Sequence, residues 1–299
     1  MGARASEVPV PLVMGIVNVT PDSFSDGGHW LDPAAAIAHG RELVAQGAQI
    51  LDIGGESTRP GAEPVSEAEE LRRVVPVIEG LAAAGTGARL SIDTSKAAVA
   101  AAALDAGATI VNDVTALRAD RAMAALIAER RCDVCLMHML GEPRTMQRDP
   151  AYGDVVDDVR AFLAERLQHA IDQGIAAERI WLDPGIGFGK TIEHNLQLLR
   201  RLDELVALGR PLVVGTSRKS FLGTITGREA GERVAGTLAT IVLALARGAS
   251  IFRVHDVEPA RDALLVAAAT LSGSWAATTT STSPWRTTSR TARTASRPS

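Results

Sequence analysis

Asn18, Asp52, Asp93, Asn112, Asp183, Lys219 and Arg253 each stand at, or just beyond, the end of a short apolar run. Carboxylates and carboxamides on the floor of a dry pocket suit a flat heterocycle with an amidine-like edge. Asp183 would accept the forked N–H donors of such an edge, while Asn112 can donate and accept at once. Nearer the rim, Arg59, Lys219, Arg253 and His255 form a basic set suited to an anion. Asn18 offers an amide oxygen to Mg2+ carried in on a diphosphate, because Mg2+ takes few protein oxygens beside substrate phosphates. Taken singly, each residue has a plainer reading. An Asp ahead of a helix is commonly its N-cap, a fair description of Asp93 before Thr94-Ser95. A lone Lys or Arg is commonly a solvated surface charge.

The elements that must position these residues repeat along the chain. Eight apolar runs, at 13–17, 50–53, 90–92, 109–111, 134–137, 180–182, 212–214 and 251–254, end in polar or glycine-rich residues. Between them lie alanine-rich stretches of helical periodicity at 33–46, 67–84, 95–106, 121–131, 155–173, 195–207 and 234–246. Gly47, Gly107, Gly174, Gly209 and Gly248 fall where such helices must turn back. Strands alternating with helices imply a parallel sheet, and eight such units predict a single-domain (β/α)8 TIM barrel over residues 1–271. An open doubly wound sheet is the alternative; no G-x-G-x-x-G follows the first strand, which counts against it. A barrel brings every strand end to one face, where its active sites lie. The polar residues would then converge on one pocket.

Composition bounds the function classes. The 299 residues are 46% hydrophobic and 22% charged, ordinary for a globular protein. A formal charge of −4 gives no nucleic-acid footprint. No apolar stretch is long enough to cross a bilayer, and residues 1–11 lack the pattern of an export signal. Cys132 and Cys135 form a C-x-x-C, but two ligands do not complete a zinc site, and Cys135 lies in an apolar run. Both read as core residues of a reduced, cytoplasmic protein. Residues 272–299 are rich in Ser, Thr, Ala and Arg and contain no acidic residue, the composition of a disordered tail. Their four arginines leave −8 to the rest of the chain.

The glycine-rich Gly185-Ile-Gly-Phe-Gly-Lys190-Thr191 invites a phosphate-loop reading, which fails because Pro184 occupies the place of the motif's first glycine. Longer motifs fit elsewhere. Asn18-Val-Thr-Pro-Asp-Ser-Phe-Ser-Asp-Gly-Gly28, Asp52-Ile-Gly-Gly-Glu-Ser-Thr-Arg-Pro-Gly61, Asp183-Pro-Gly-Ile-Gly-Phe-Gly-Lys190, Ser217-Arg-Lys-Ser220 and Arg253-Val-His-Asp256 resemble those of the dihydropteroate synthases, a pterin-binding barrel family. The resemblance runs from about Val13 to about Leu271.

That resemblance implies a homodimeric, Mg2+-dependent transferase of folate biosynthesis and a sulfonamide target. It joins 6-hydroxymethyl-7,8-dihydropterin diphosphate to p-aminobenzoate, giving 7,8-dihydropteroate and diphosphate. By the resemblance, Asp93, Asn112, Asp183, Lys219 and Arg253 hold the pterin, and Arg253 with His255 meets the diphosphate. Asn18 is the position associated with Mg2+. Phe24, Asp26, Thr58, Arg59 and Pro60 belong to mobile loops that order over the substrates. Of these, Phe24, Thr58, Arg59 and Pro60, together with Phe188 and Ser220, correspond to contacts with p-aminobenzoate. Two other functions share the barrel: a pterin-dependent methyltransferase domain, which lacks the Ser-Arg-Lys-Ser segment, and a non-catalytic pterin-binding paralogue.

Overall fold

Runs of Val, Ile and Leu without polar interruption make strands covered on both faces, as in a parallel sheet wrapped by helices. The computed structural model describes residues 8–20, 32–57, 62–142 and 144–273, and all eight runs form strands there. These are β1 (Leu12–Asn18), β2 (Ile50–Gly54), β3 (Arg89–Asp93), β4 (Ile110–Asp113), β5 (Asp133–Met137), β6 (Ile180–Asp183), β7 (Val213–Val214) and β8 (Ile251–Val254). They pair in parallel in the order β6-β5-β4-β3-β2-β1-β8-β7. A parallel bridge from Leu182 to Leu212, with the Leu182 N–H donating to Pro211 O at 3.0 Å, joins the two remaining edges. The fold is the expected barrel.

Helices return the chain between strands: α1 (Pro33–Ala45), α2 (Glu67–Ala83), α3 (Ala97–Asp105), α4 (Met123–Arg130), α5 (Val155–Asp172), α6 (Ile192–Arg200), α7 (Leu202–Val206), α8 (Ser220–Thr226), α9 (Val234–Ala246) and α10 (Val257–Ser272). Their starts follow local chemistry. Asp32 caps α1 by accepting from the Ala34 N–H at 2.9 Å, with Pro33 opening the helix. Gly47, past the end of α1, has φ 108°, a conformation that side chains with a Cβ disfavour. The single helix expected over 195–207 is instead α6 and α7. It begins earlier, at a Thr191 cap, and breaks at Arg201, whose φ −110° and ψ 29° leave the helical region.

Alternation along the strands separates two cores. Leu51, Ile53, Ile92, Val111, Leu136, Leu182, Val214 and Phe252 face outward and pack against helical residues such as Leu43, Ile78, Val99, Ile127 and Leu264. Met14, Ile50, Ile110, Cys135, Trp181, Val213 and Ile251 form a separate cluster inside the barrel. Two residues further along the same inward faces come Asp52, Asn112, Met137, Asp183 and Arg253. One periodicity therefore fills the lower barrel with apolar side chains and lines its mouth with polar ones. Cys132 and Cys135 are buried free thiols, as expected. Among the described residues, no helix is long and apolar enough to cross a membrane. The expected tail lies, from residue 274 onward, outside the described residues.

Candidate active site

The floor of the barrel mouth is organised by Asp52. This fully buried carboxylate accepts from Ser91 Oγ at 2.6 Å on Oδ1, and from Asn112 Nδ2 at 3.1 Å and Arg253 Nε at 2.6 Å on Oδ2. Arg253 Nη2 donates to Asp93 Oδ2 at 2.8 Å. Four strands, β8, β2, β3 and β4, are tied together by these bonds. Asp52 turns the Asn112 amide so that its NH2 faces the carboxylate. Arg253 is thus not a loose rim cation; its guanidinium is fixed on two carboxylates. Burial alone would weaken its hold on its proton, but Asp52 and Asp93 more than offset that and keep it charged. Burial raises the Asp93 carboxyl to about 7, against the pull of Arg253. Asp93 does not cap the next helix. Lys96 occupies the N-cap position of α3 and makes no side-chain cap bond.

Across the mouth, Asp183 Oδ1 accepts from the Gly185 N–H at 2.7 Å, and burial raises its carboxyl above the usual range. Lys219 Nζ donates to Ile186 O and lies 4.5 Å from the centroid of the Phe188 ring. Burial brings the Lys219 amine down to about 8, with Asp183 opposing. Phe188 packs against Val114, Met137, Met139 and Met146. Beside Asp93 a cavity of about 170 Å3 opens between Glu70, Thr94, Val114, Met139 and Arg144.

The β7 and β8 ends meet through a second network. Ser217 Oγ lies 3.0 Å from His255 Nδ1 and accepts from the His255 N–H at 3.1 Å. Arg218 adopts φ 58°, and both ends of the strained residue are secured. Its guanidinium pairs with Asp256 at 3.0 and 2.5 Å, while its carbonyl accepts from Arg233 Nη1 at 3.0 Å. Lys219 is held on one side of this residue and Ser217 on the other. Ser220 opens α8 and is exposed.

Asn18 ends β1 opposite Gly54, half-buried, and its amide takes no partner among the described residues. The described residues therefore bring together Asn18, Asp93, Asn112, Asp183, Phe188, Lys219, Ser220, Arg253 and His255 on the C-terminal ends of the strands. Phe24, Asp26, Thr58, Arg59 and Pro60 lie outside the described residues. Ser91 had no place in the sequence reading; Ser217 appeared there only within the Ser-Arg-Lys-Ser motif, and Asp52 had no assigned role. Its signal was a carboxylate inside an apolar run, which must find partners wherever it is buried.

A family model described as pterin binding enzyme matches residues 14–255. The dihydropteroate synthase of Neisseria meningitidis serogroup B is 50% identical over 262 residues, covering 86% of this chain and 91% of that protein. The dihydropteroate synthase of Xanthomonas albilineans solved with 4-aminobenzoic acid is similar with a TM-score of 0.81 and 52% identity, covering 86% of this chain and 91% of that one. The same enzyme in complex with 7,8-dihydropteroate has a TM-score of 0.77 and 49% identity, covering 86% and 92%.

Proposed function

The chain belongs to the dihydropteroate synthases, a family of pterin-binding enzymes, and from that premise we propose how its strand ends share the reaction. It is a transferase that joins 6-hydroxymethyl-7,8-dihydropterin diphosphate to p-aminobenzoate, releasing diphosphate. Asp183, Asp93 and Asn112 bind the pterin edge, with Lys219 above it and Arg253 alongside. The observation that carries this assignment is the Asp52-centred network, which holds an amide, a guanidinium and a second carboxylate at one floor.

In the reaction, the bond from the pterin methylene carbon to the diphosphate oxygen breaks, and its electron pair leaves with the diphosphate. Positive charge spreads into the electron-rich ring, where the Asp183 carboxylate stabilises it. Arg59, Arg253 and His255 stabilise the departing anion. The arylamine is neutral near pH 7, so its lone pair forms the new C–N bond and its proton leaves to solvent. No covalent bond to the enzyme forms. We assign Phe188 and Ser220, with Phe24, Thr58 and Pro60, to the amine substrate, and Asp26 to the reaction. Exclusion of water from the site protects the cation from capture.

Asn18 fits the Mg2+ expected of the family. It offers one uncommitted amide oxygen, and the described residues contain no cluster of three or more His, Cys, Asp or Glu forming a complete protein cage. That suits an ion bound mainly through substrate phosphates. When bound, Mg2+ supplies neutralisation of charge on the leaving group. A homodimer is supported by the apolar face of α9 and α10, where Leu243 and Val266 are 60% and 68% exposed. The two buried free thiols support a cytoplasmic setting.

Calorimetry on the Asp183→Ala variant tests the floor: pterin binding is expected to vanish, and unchanged affinity would show that the floor lies elsewhere.

A further inference from the structure

Lys190 is 3% exposed, yet none of the ion pairs among the described residues includes it. Its Nζ lies 2.9 Å from His138 Nδ1 and donates to Phe188 O at 3.0 Å. A lysine buried without a counter-ion gives up its proton more readily than one in water. Burial, and then neighbouring Lys219, take its amine well below the usual lysine range. His138 is 5% exposed, and burial followed by Lys190 takes its imidazole down to about 3. Neither group belongs to the mechanism above.

Around the pair, the 185–190 loop is fastened at successive peptides. Gln147 Nε2 donates to Gly187 O at 2.6 Å, Asn195 Oδ1 accepts from the Gly187 N–H at 2.7 Å, and Tyr152 OH donates to Gly189 O at 2.7 Å. Lys219 takes Ile186 O, leaving Phe188 O to Lys190. His138 is itself anchored: its N–H donates to Asp183 O at 2.9 Å, and the Phe162 ring meets its imidazole edge-on at 4.8 Å. The one peptide carrying the aromatic ring is thus held by a side chain that reaches back to the neighbouring strand.

We infer that Lys190, anchored on His138, is a positioning residue that holds the Phe188 carbonyl, and with it the ring that walls the amine substrate beneath Lys219. Its role rests on the assignment of Phe188 to p-aminobenzoate. Lys190→Met keeps the length of the side chain and removes the donor. Its KM for p-aminobenzoate should rise at least about fivefold, as for one hydrogen bond of about 1 kcal/mol. Its kcat and its KM for the pterin diphosphate should stay within about twofold. His138→Asn, whose amide oxygen can occupy the Nδ1 position, should stay near the parent enzyme, whereas His138→Leu should follow Lys190→Met.

Phe188→Ala separates the two claims. If it raises the KM for p-aminobenzoate and Lys190→Met does not, the positioning role is overturned. If Phe188→Ala leaves that KM unchanged, the assignment of Phe188 falls and the role of Lys190 falls with it. Should Lys190→Met not fold, the His138 pair decides, and equal KM values for His138→Asn and His138→Leu would overturn the role.

Discussion

Arg253 Nε donates to Asp52 Oδ2 at 2.6 Å, joining the last strand to the second across 201 positions of sequence. The same oxygen accepts from Asn112, so one carboxylate orients both a cation and an amide at the mouth of the barrel.

Replacing Asp52 with Asn keeps the shape but removes the obligate acceptor. Arg253 then retains Asp93 alone as its charged partner, and the Asn112 amide is free to turn. Hydrogen bonds to charged groups are worth about 1.5–3 kcal/mol, so affinity for the pterin should fall about 10- to 100-fold. Calorimetry with a non-reactive pterin measures it. The KM for p-aminobenzoate should move little.

Two titrations should shape the pH profile. Asp93 titrates near 7 and Lys219 near 8. If activity needs the Asp93 carboxylate and the Lys219 ammonium, kcat/KM for the pterin substrate is bell-shaped, falling below about 7 and above about 8. Stability carries the matching signs. Between 3.8 and about 7 the native state binds the Asp93 proton that the unfolded chain has lost, so this group's contribution falls as pH rises through that window. Between about 8 and 10.5 the unfolded chain holds the Lys219 proton that the native state has lost, so stability rises. In thermal melts, Asp93→Asn should gain on the parent protein between pH 5 and pH 7; a constant difference in Tm would refute the shift.

Two glycines of the β6 loop should separate stability from activity. A Cβ at Gly185, where φ is +65°, would stand 1.8 Å from His138 O, a backbone atom that cannot move aside. Gly185→Ala should therefore lower Tm by several degrees, as for a loss of about 2 kcal/mol or more. At Gly187, with φ +83°, the clash is with Lys219 Cδ at 2.9 Å, part of a flexible side chain. Gly187→Ala should unfold at a temperature closer to the parent's and lose more activity, because Lys219 is displaced.

Ser217 should matter through His255. Ser217→Ala removes the hydroxyl that bonds both the ring and the backbone of His255. Loss of about 1–2 kcal/mol of hydrogen bonding predicts a fall of about 5- to 30-fold in kcat/KM for the pterin diphosphate. Ser217→Thr should recover most of it in steady-state kinetics.

The barrel was legible because a buried parallel strand is written as an unbroken apolar run, and polar residues cannot continue it below the mouth. Each of the eight runs became a strand for that reason. Asp93, Asn112, Asp183, Lys219 and Arg253 were legible as strand-end polar groups that a barrel must gather. What sequence did not carry was pairing between distant residues. Asp52 lay within an apolar run, and its partners Asn112 and Arg253 are 60 and 201 positions away. The break at Arg201 was hidden because Arg continues a helical pattern as readily as Leu. The failed phosphate-loop reading left Lys190 without a role, and its partner His138 sits 52 positions earlier, between two methionines.

The central claim is that these strand ends release diphosphate from a bound pterin only as the amine takes its place. Diphosphate release by the purified enzyme tests it most directly, measured with each substrate omitted in turn and with Asp183→Ala. Release should require both p-aminobenzoate and the pterin diphosphate, match dihydropteroate formed one for one, and fall at least about 100-fold in the variant, a loss of about 2.7 kcal/mol. No release with both substrates and Mg2+ present, or equal release from the variant, would contradict the account.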